Sequence, residues 1–290
     1  MNGEDDFANS CVAIVGLGLM GGSLAMALRG CCKRLLGVDR DVDTLEMALS
    51  HGIVDGADSD PGTILPQADM VVLAVPVLTI LEMLPRIPGF HPGPAVVLDL
   101  GSTKAQIMGG MEKLSPEFDP VGGHPMCGKE SSGLQYADPS IYRGAPFALT
   151  ALKRTSPKAR VMAETMVRSV GALPIWLDPQ IHDTWVAFTS HLPYLSAAAL
   201  VQATSVEAAS MLGPGFLGAS RLAGSDPEMM ADILVTNRAK ILDALKQFQL
   251  QLDMLEQAVR EGDHESLIAL LNRVHRQRTE LIGGRGSNEA

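Results

Sequence analysis

Of the seven histidines in the chain, one has unusual neighbours: Gly122-Gly123-His124-Pro125-Met126-Cys127-Gly128. Glycines and a proline around an imidazole do not form a packing pattern. They suit a loop, beginning at Gly122, whose rigid backbone aims one ring. With an ordinary pKa of about 6.5, such a ring takes up or releases a proton at neutral pH. Four other segments carry matching chemistry. Ser190-His191-Leu192-Pro193-Tyr194 holds a second imidazole, and Ile181-His182-Asp183 a third beside a carboxylate. Arg221, ahead of Asp226-Pro227, offers a planar fork that grips a carboxylate through two hydrogen bonds. Asp99-Leu100-Gly101-Ser102-Thr103-Lys104 adds a hydroxyl, with Lys104 expected at the surface of a helix start. A base, a hydroxyl and a carboxylate-binding cation suit proton transfer on a small anionic molecule. His124, His182, His191 and Cys127 show no metal-ligand spacing, so no metal is expected.

A second chemistry is written nearer the start. Gly16-Leu17-Gly18-Leu19-Met20-Gly21 follows the apolar run Cys11–Val15 and opens an Ala/Leu/Met-rich segment reaching about Arg29. A strand, a glycine turn and a helix in that order bind dinucleotides. The glycines permit the tight turn and close backbone approach, and the helix N-terminus meets the pyrophosphate. Asp39 ends the next apolar run, eighteen residues beyond Gly21. A carboxylate there accepts hydrogen bonds from ribose hydroxyls and repels a 2′-phosphate, so the expected cofactor is NAD rather than NADP. Arg40 beside it is the feature that would favour NADP. Leu19 and Met20 in the turn, and Val75 and Pro76 after the run Met70–Val75, complete the expected cofactor set.

These residues need a scaffold. Apolar runs at 11–15, 35–38, 70–75, 95–100, 147–150 and 174–177 read as strands, with helical segments between several of them. That order implies an α/β sheet of Rossmann type with helices on both faces. From Gln180 onward no segment reads as a strand, and long Ala/Leu/Met stretches such as Leu234 to Val259 carry helical periodicity. The expected division is a dinucleotide-binding domain over 1–178 and a helical substrate and dimerisation domain over 179–290. Apolar helices in such numbers point to a homodimer packed through them. The formal charge of −10 argues against nucleic-acid binding. No run reaches the roughly 20 apolar residues of a membrane span. The polar N-terminus is no signal peptide, and the four cysteines form no secreted framework, so a cytoplasmic protein is expected. The Gly/Ser/Asn-rich tail from Gly283 is expected to fray.

Taken together, the segments Gly16–Ser23, Asp99–Lys104, His124-Pro-Met-x-Gly128, Ser190-His-Leu-Pro193 and Arg221 ahead of Asp226-Pro227 resemble the prephenate/arogenate dehydrogenase family, in the family's order and over nearly the whole chain. The resemblance implies oxidative decarboxylation of prephenate with NAD on the route to tyrosine, with arogenate or both substrates as the alternative. It implies that His124 is the base for the ring C4 hydroxyl and Ser102 its hydrogen-bonding neighbour. Arg221 would pair with a substrate carboxylate, His182 and His191 would stand near the substrate, and Glu130 at the pocket entrance. Ser190 and Tyr194 complete the substrate set. Tyr194 departs from the pattern, since many members carry a histidine there. A β-hydroxyacid dehydrogenase shares the glycine start and helical second half, but its Gly-x-x-x-Lys-x-x-Asn segment is missing. A redox sensor that merely binds NAD would not need His124, Ser102 and Arg221 together.

Overall fold

The computed structural model describes residues 3–129 and 131–284 of the chain, so Glu130 and the end of the tail, 285–290, lie outside the described residues. Its centre is an eight-stranded sheet: β1 (Cys11–Val15), β2 (Arg34–Val38), β3 (Gly56–Asp58), β4 (Met70–Leu73), β5 (Ala95–Asp99), β6 (Phe118–Pro125), β7 (Pro146–Ala151) and β8 (Leu173–Trp176). They lie in the order β3-β2-β1-β4-β5-β6-β7-β8. All neighbours are parallel except β6 and β7.

Central strands buried on both faces explain the continuous apolar runs. In β1, Val12 and Ile14 join the core on one face, with Leu24 and Met162. Ala13 and Val15 join the other, with Ile80 and Ile107. Strand order reverses between β1 and β4, and there the carboxyl ends of parallel strands open a crevice for ligands.

Two strands escape the sequence reading. β3 is only three residues long. β6 carries His124 inside a strand, not on a loop beginning at Gly122. The reason lies in what surrounds the two glycines. A Cβ on Gly122 would fall 2.1 Å from Thr150 Oγ1, and one on Gly123 2.5 Å from the Asp99 carbonyl oxygen. Close approach of neighbouring backbone and side chains, rather than a turn, requires glycine here.

Beyond Asp178 the described chain is helical. Asp178 caps the helix Pro179–Val186 by accepting from Gln180 N. A π-helical turn, Ala187–His191, leads into the helix Leu192–Ala203. The helix Pro227–Thr236 stops at Asn237, and a new one runs from Arg238 to Glu261. The expected single helix from Leu234 to Val259 is thus broken. The chain forms two compact units, 1–241 and 242–290. In the second, Gly262 (φ +68°) and the Asp263 cap turn the chain into the helix His264–Gly283. Leu250, Met254, Ile268 and Leu271 are all exposed there. No described helix is long and apolar enough to cross a membrane.

Candidate active site

The glycine turn has the shape its sequence requires. Gly16 adopts φ +92°, a left-handed conformation open to glycine. A Cβ there would meet the Ala74 carbonyl oxygen at 2.6 Å and Val75 Cγ1 at 2.7 Å. A Cβ on Gly21 would strike the Gly16 carbonyl oxygen at 1.9 Å, so the helix Leu19–Leu28 sits tight on the strand. Nothing described lies within 4 Å of a Cβ on Gly18, leaving that side free for a phosphate. Asp39 accepts from Leu17 N (2.7 Å) and from Asp41 N (3.0 Å). Two amides therefore aim its carboxylate and leave lone pairs for a diol. Arg40 is exposed, as is Pro76, while Val75 and Met20 are half-buried and Leu19 is buried. These features fit a dinucleotide at the β1–β4 crevice.

Along the same edge, past β4 and β5, stands His124. Its ring is 8% exposed, and Nδ1 is 2.9 Å from His182 Nε2. His182 Nδ1 is in turn 2.8 Å from Asp183 Oδ1. Asp183 also accepts from Lys104 N (2.7 Å) and Ala105 N (2.9 Å), joining the helix Pro179–Val186 to the start of the helix Ala105–Met111. Burial raises the Asp183 pKa, but the His182 contact and the two amides outweigh it and hold the group ionised below its ordinary range.

The protons in this series follow from the partners. An ionised carboxylate only accepts, so His182 Nδ1 carries hydrogen. In the neutral ring Nε2 is then an acceptor, and His124 Nδ1 donates to it. His124 Nε2 keeps its lone pair and has no hydrogen-bond partner among the described residues. Burial, then the nearness of His182, Lys104 and His191, keeps His124 neutral well below its ordinary pKa.

His191 completes the arrangement from the π turn. Nine residues on a regular helix would set it opposite His182; the wider turn reduces that angle. Asn237 Nδ2 donates to the Asp183 carbonyl oxygen (2.7 Å), which fixes its amide orientation. The same Nδ2 is 3.3 Å from His191 Nδ1. His191 therefore carries its proton on Nε2, a buried donor with no partner among the described residues. Burial lowers its pKa to about 4, only partly opposed by Asp183, so it is neutral at pH 7. A lone-pair acceptor and an N–H donor, both without partners among the described residues, mark where a polar ligand fits.

Of the sequence-derived residues, the structure brings His124, His182 and His191 into one network. Ser102 is half-buried after β5, and the described hydrogen-bond partner of His124 is His182, at Nδ1. Ser190 and Tyr194 are half-buried on the π turn and the helix after it. Arg221 is exposed on the short turn Arg221–Gly224, which packs on the helix Leu192–Ala203. Lys104, expected at the surface, is fully buried against Asp99. Sequence reasoning noted Asp183 only as the carboxylate beside His182, without giving it a site role, and passed over Asn237. The Asp183 signal was its place beside His182; Asn237 was hidden inside a stretch read as one helix.

The prephenate dehydrogenase nucleotide-binding domain model matches residues 24–175, and the dimerization domain model of the same enzyme matches 178–273. The first match begins just after the glycine turn. Prephenate dehydrogenase of Bacillus subtilis is 30% identical over 270 residues, covering 88% of this chain and 72% of its own. The crystal structure of prephenate dehydrogenase from A. aeolicus, with hydroxyphenyl propionate and NAD+, has a TM-score of 0.86 at 31% identity, covering 93% of this chain and 98% of that one. Synechocystis arogenate dehydrogenase has a TM-score of 0.80 at 29% identity, with 93% and 99% covered. With both domain models matched in succession, the chain belongs to the prephenate dehydrogenase family.

Proposed function

We propose that the chain is an NAD-dependent dehydrogenase that oxidises prephenate at its ring C4 hydroxyl and releases the C1 carboxylate as carbon dioxide, giving 4-hydroxyphenylpyruvate on the way to tyrosine. The observation that carries this reading is the series Asp183–His182–His124, which leaves a neutral imidazole with a free lone pair at the sheet's carboxyl edge.

Gly16, Gly18, Leu19, Met20 and Gly21 hold the cofactor's phosphates, Asp39 and Arg40 border its ribose, and Val75 and Pro76 form the opposite lip. NAD supplies the hydride acceptor when bound. His124 takes the hydroxyl proton at Nε2 as C4 becomes a ketone. Asp183, through His182, steadies the positive charge that then forms on His124. His191 Nε2–H donates to a substrate oxygen, and Arg221 pairs with a carboxylate. When the C1–carboxylate bond breaks, its electron pair enters the ring and reaches the C4 oxygen. His124 returns the proton to that oxygen, so the residue ends as it began. Ser102 and Ser190 border the substrate.

A second reading, arogenate or both acids as substrate, draws on Tyr194, where many relatives carry histidine, and on the likeness to the Synechocystis enzyme. The exposed apolar residues of 242–284, together with the match to a dimerization domain, support a homodimer through the helices. The test is NADH formation from prephenate and from arogenate, each with NAD and NADP, in the parent and in His124→Asn. Turnover lost in the variant with NAD binding kept is the expected result. Equal turnover in both proteins removes His124 as the base, and no turnover of either acid removes the function.

A further inference from the structure

β5 stops at Asp99, but β6 runs on to Pro125. Their parallel pairing ends at Leu98 opposite Val121, so the residues from Gly122 overhang on that side. Only β7 pairs with the overhang, placing Ala148 opposite His124. Where the ladder ends, the Asp99 carboxylate replaces it. Oδ1 accepts from Gly123 N at 3.2 Å, and Oδ2 accepts from Gly101 N at 2.8 Å. Each of those amides precedes a site residue: Gly123 precedes His124, and Gly101 precedes Ser102. One carboxylate thus links the strand that carries the imidazole to the loop that carries the hydroxyl.

Lys104 holds that carboxylate in turn. Its Nζ donates to Asp99 Oδ2, and both side chains are fully buried. Its backbone N–H donates to Asp183, the far end of the imidazole series. The two glycines make room for the same device, since a Cβ on Gly122 would fall 3.2 Å from Lys104 Cδ. A buried ion pair adds little net stability over an apolar pair of equal size. Its presence here is better accounted for by what it holds in place.

We propose that Asp99 and Lys104 are positioning residues for the reaction, the buried ion pair fixing where His124 stands relative to Ser102 and Asp183. This rests on the reading of His124 as the base. Neither residue touches the substrate, and neither takes part in proton transfer.

The test is the full chain with Asp99→Asn and Lys104→Met combined, which removes both charges and strands neither. Expected is a fall in kcat of about 100-fold, the size that follows from moving a reacting group by about 1 Å. KM and NAD affinity should stay within about threefold, because the binding groups are untouched. Gly123→Ala, with both charges intact, should show the same kcat-selective loss. Imidazole 15N shifts of His124 report the displacement without turnover. A folded double variant with parental kcat and parental shifts overturns the proposal while leaving the base assignment standing. A parent inactive on both acids defeats the base assignment instead, and the shifts still decide the positioning. If neither variant folds, acetylation of the native chain read by mass spectrometry decides: Lys104 protected supports the buried pair, and Lys104 modified as fast as surface lysines overturns it.

Discussion

Asp183→Asn tests the imidazole series at its far end. The native carboxylate serves three donors: His182 Nδ1 and Lys104 N at Oδ1, and Ala105 N at Oδ2. An amide has one oxygen, so its NH2 must face one of those N–H groups. If NH2 replaces Oδ2, Ala105 N loses its acceptor and the proton order of the histidines survives, but the negative charge behind them is gone. If NH2 replaces Oδ1, it donates to His182 Nδ1, His182 Nε2 then donates to His124 Nδ1, and His124 Nε2 is capped by hydrogen. Either orientation leaves a buried amide unsatisfied, at a cost of about 1–3 kcal/mol. The first should lower kcat by about 10²-fold through lost electrostatic support. The second inverts the base and approaches the roughly 10⁴-fold loss known for an inverted histidine in hydrolytic triads. Stopped-flow NADH absorbance gives kcat, urea unfolding gives the stability change, and titration gives NAD affinity, expected to hold. A variant destabilised by that amount with kcat within about threefold of the parent would refute the reasoning, because the series would then be architecture only.

Other expectations follow from single features. Arg221→Ala should raise KM by about 10–100-fold, the worth of a charge-assisted carboxylate contact, with kcat less affected; an unchanged KM moves that contact elsewhere. Asp39→Ser should raise the NADP-to-NAD ratio of kcat/KM by about tenfold or more, as repulsion of a 2′-phosphate is lost; cofactor titration checks it. The pH dependence has a definite sign. His124 and His191 have folded pKa values below the ordinary 6.5, so the unfolded chain binds more protons between those values. Their contribution is complete above about pH 6.5 and is lost as pH falls toward the folded values; for His191 the loss reaches the order of 3 kcal/mol by about pH 4. Activity should correspondingly persist below pH 6.5. Urea midpoints from pH 8 to 4 that stay flat would contradict the buried, neutral rings.

The dinucleotide turn was legible because its signal is local. Gly16, Gly18 and Gly21 act on a turn of six residues, and Asp39 ends an apolar run that itself announces a strand. β6 was not legible, because Gly122, Gly123 and Pro125 look like a loop in isolation and become a strand only between Asp99 and Thr150. Lys104 shows the same limit: at a helix start a lysine suits the surface, and only the fold, which turns it back onto the buried Asp99 five residues earlier, takes it inside. Ser102 was legible as a hydroxyl just past a strand, whereas the described partner of His124 comes from a helix 58 residues downstream. Asn237 was invisible because breaking a helix costs little in sequence pattern, while its two hydrogen bonds depend on the fold.

The imidazole series crosses the border between the two matched family domains. His124 lies within 24–175, while His182, Asp183, His191 and Asn237 lie within 178–273. Each half therefore inherits an unfinished set of protons, and neither can drift alone without changing what the other ring can accept. Chimaeras joined between residues 175 and 178 should work only when both parents agree on the His-Asp pair and on the asparagine that ends the helix Pro227–Thr236. Compatibility across that seam, more than similarity along either half, decides which relatives can exchange parts.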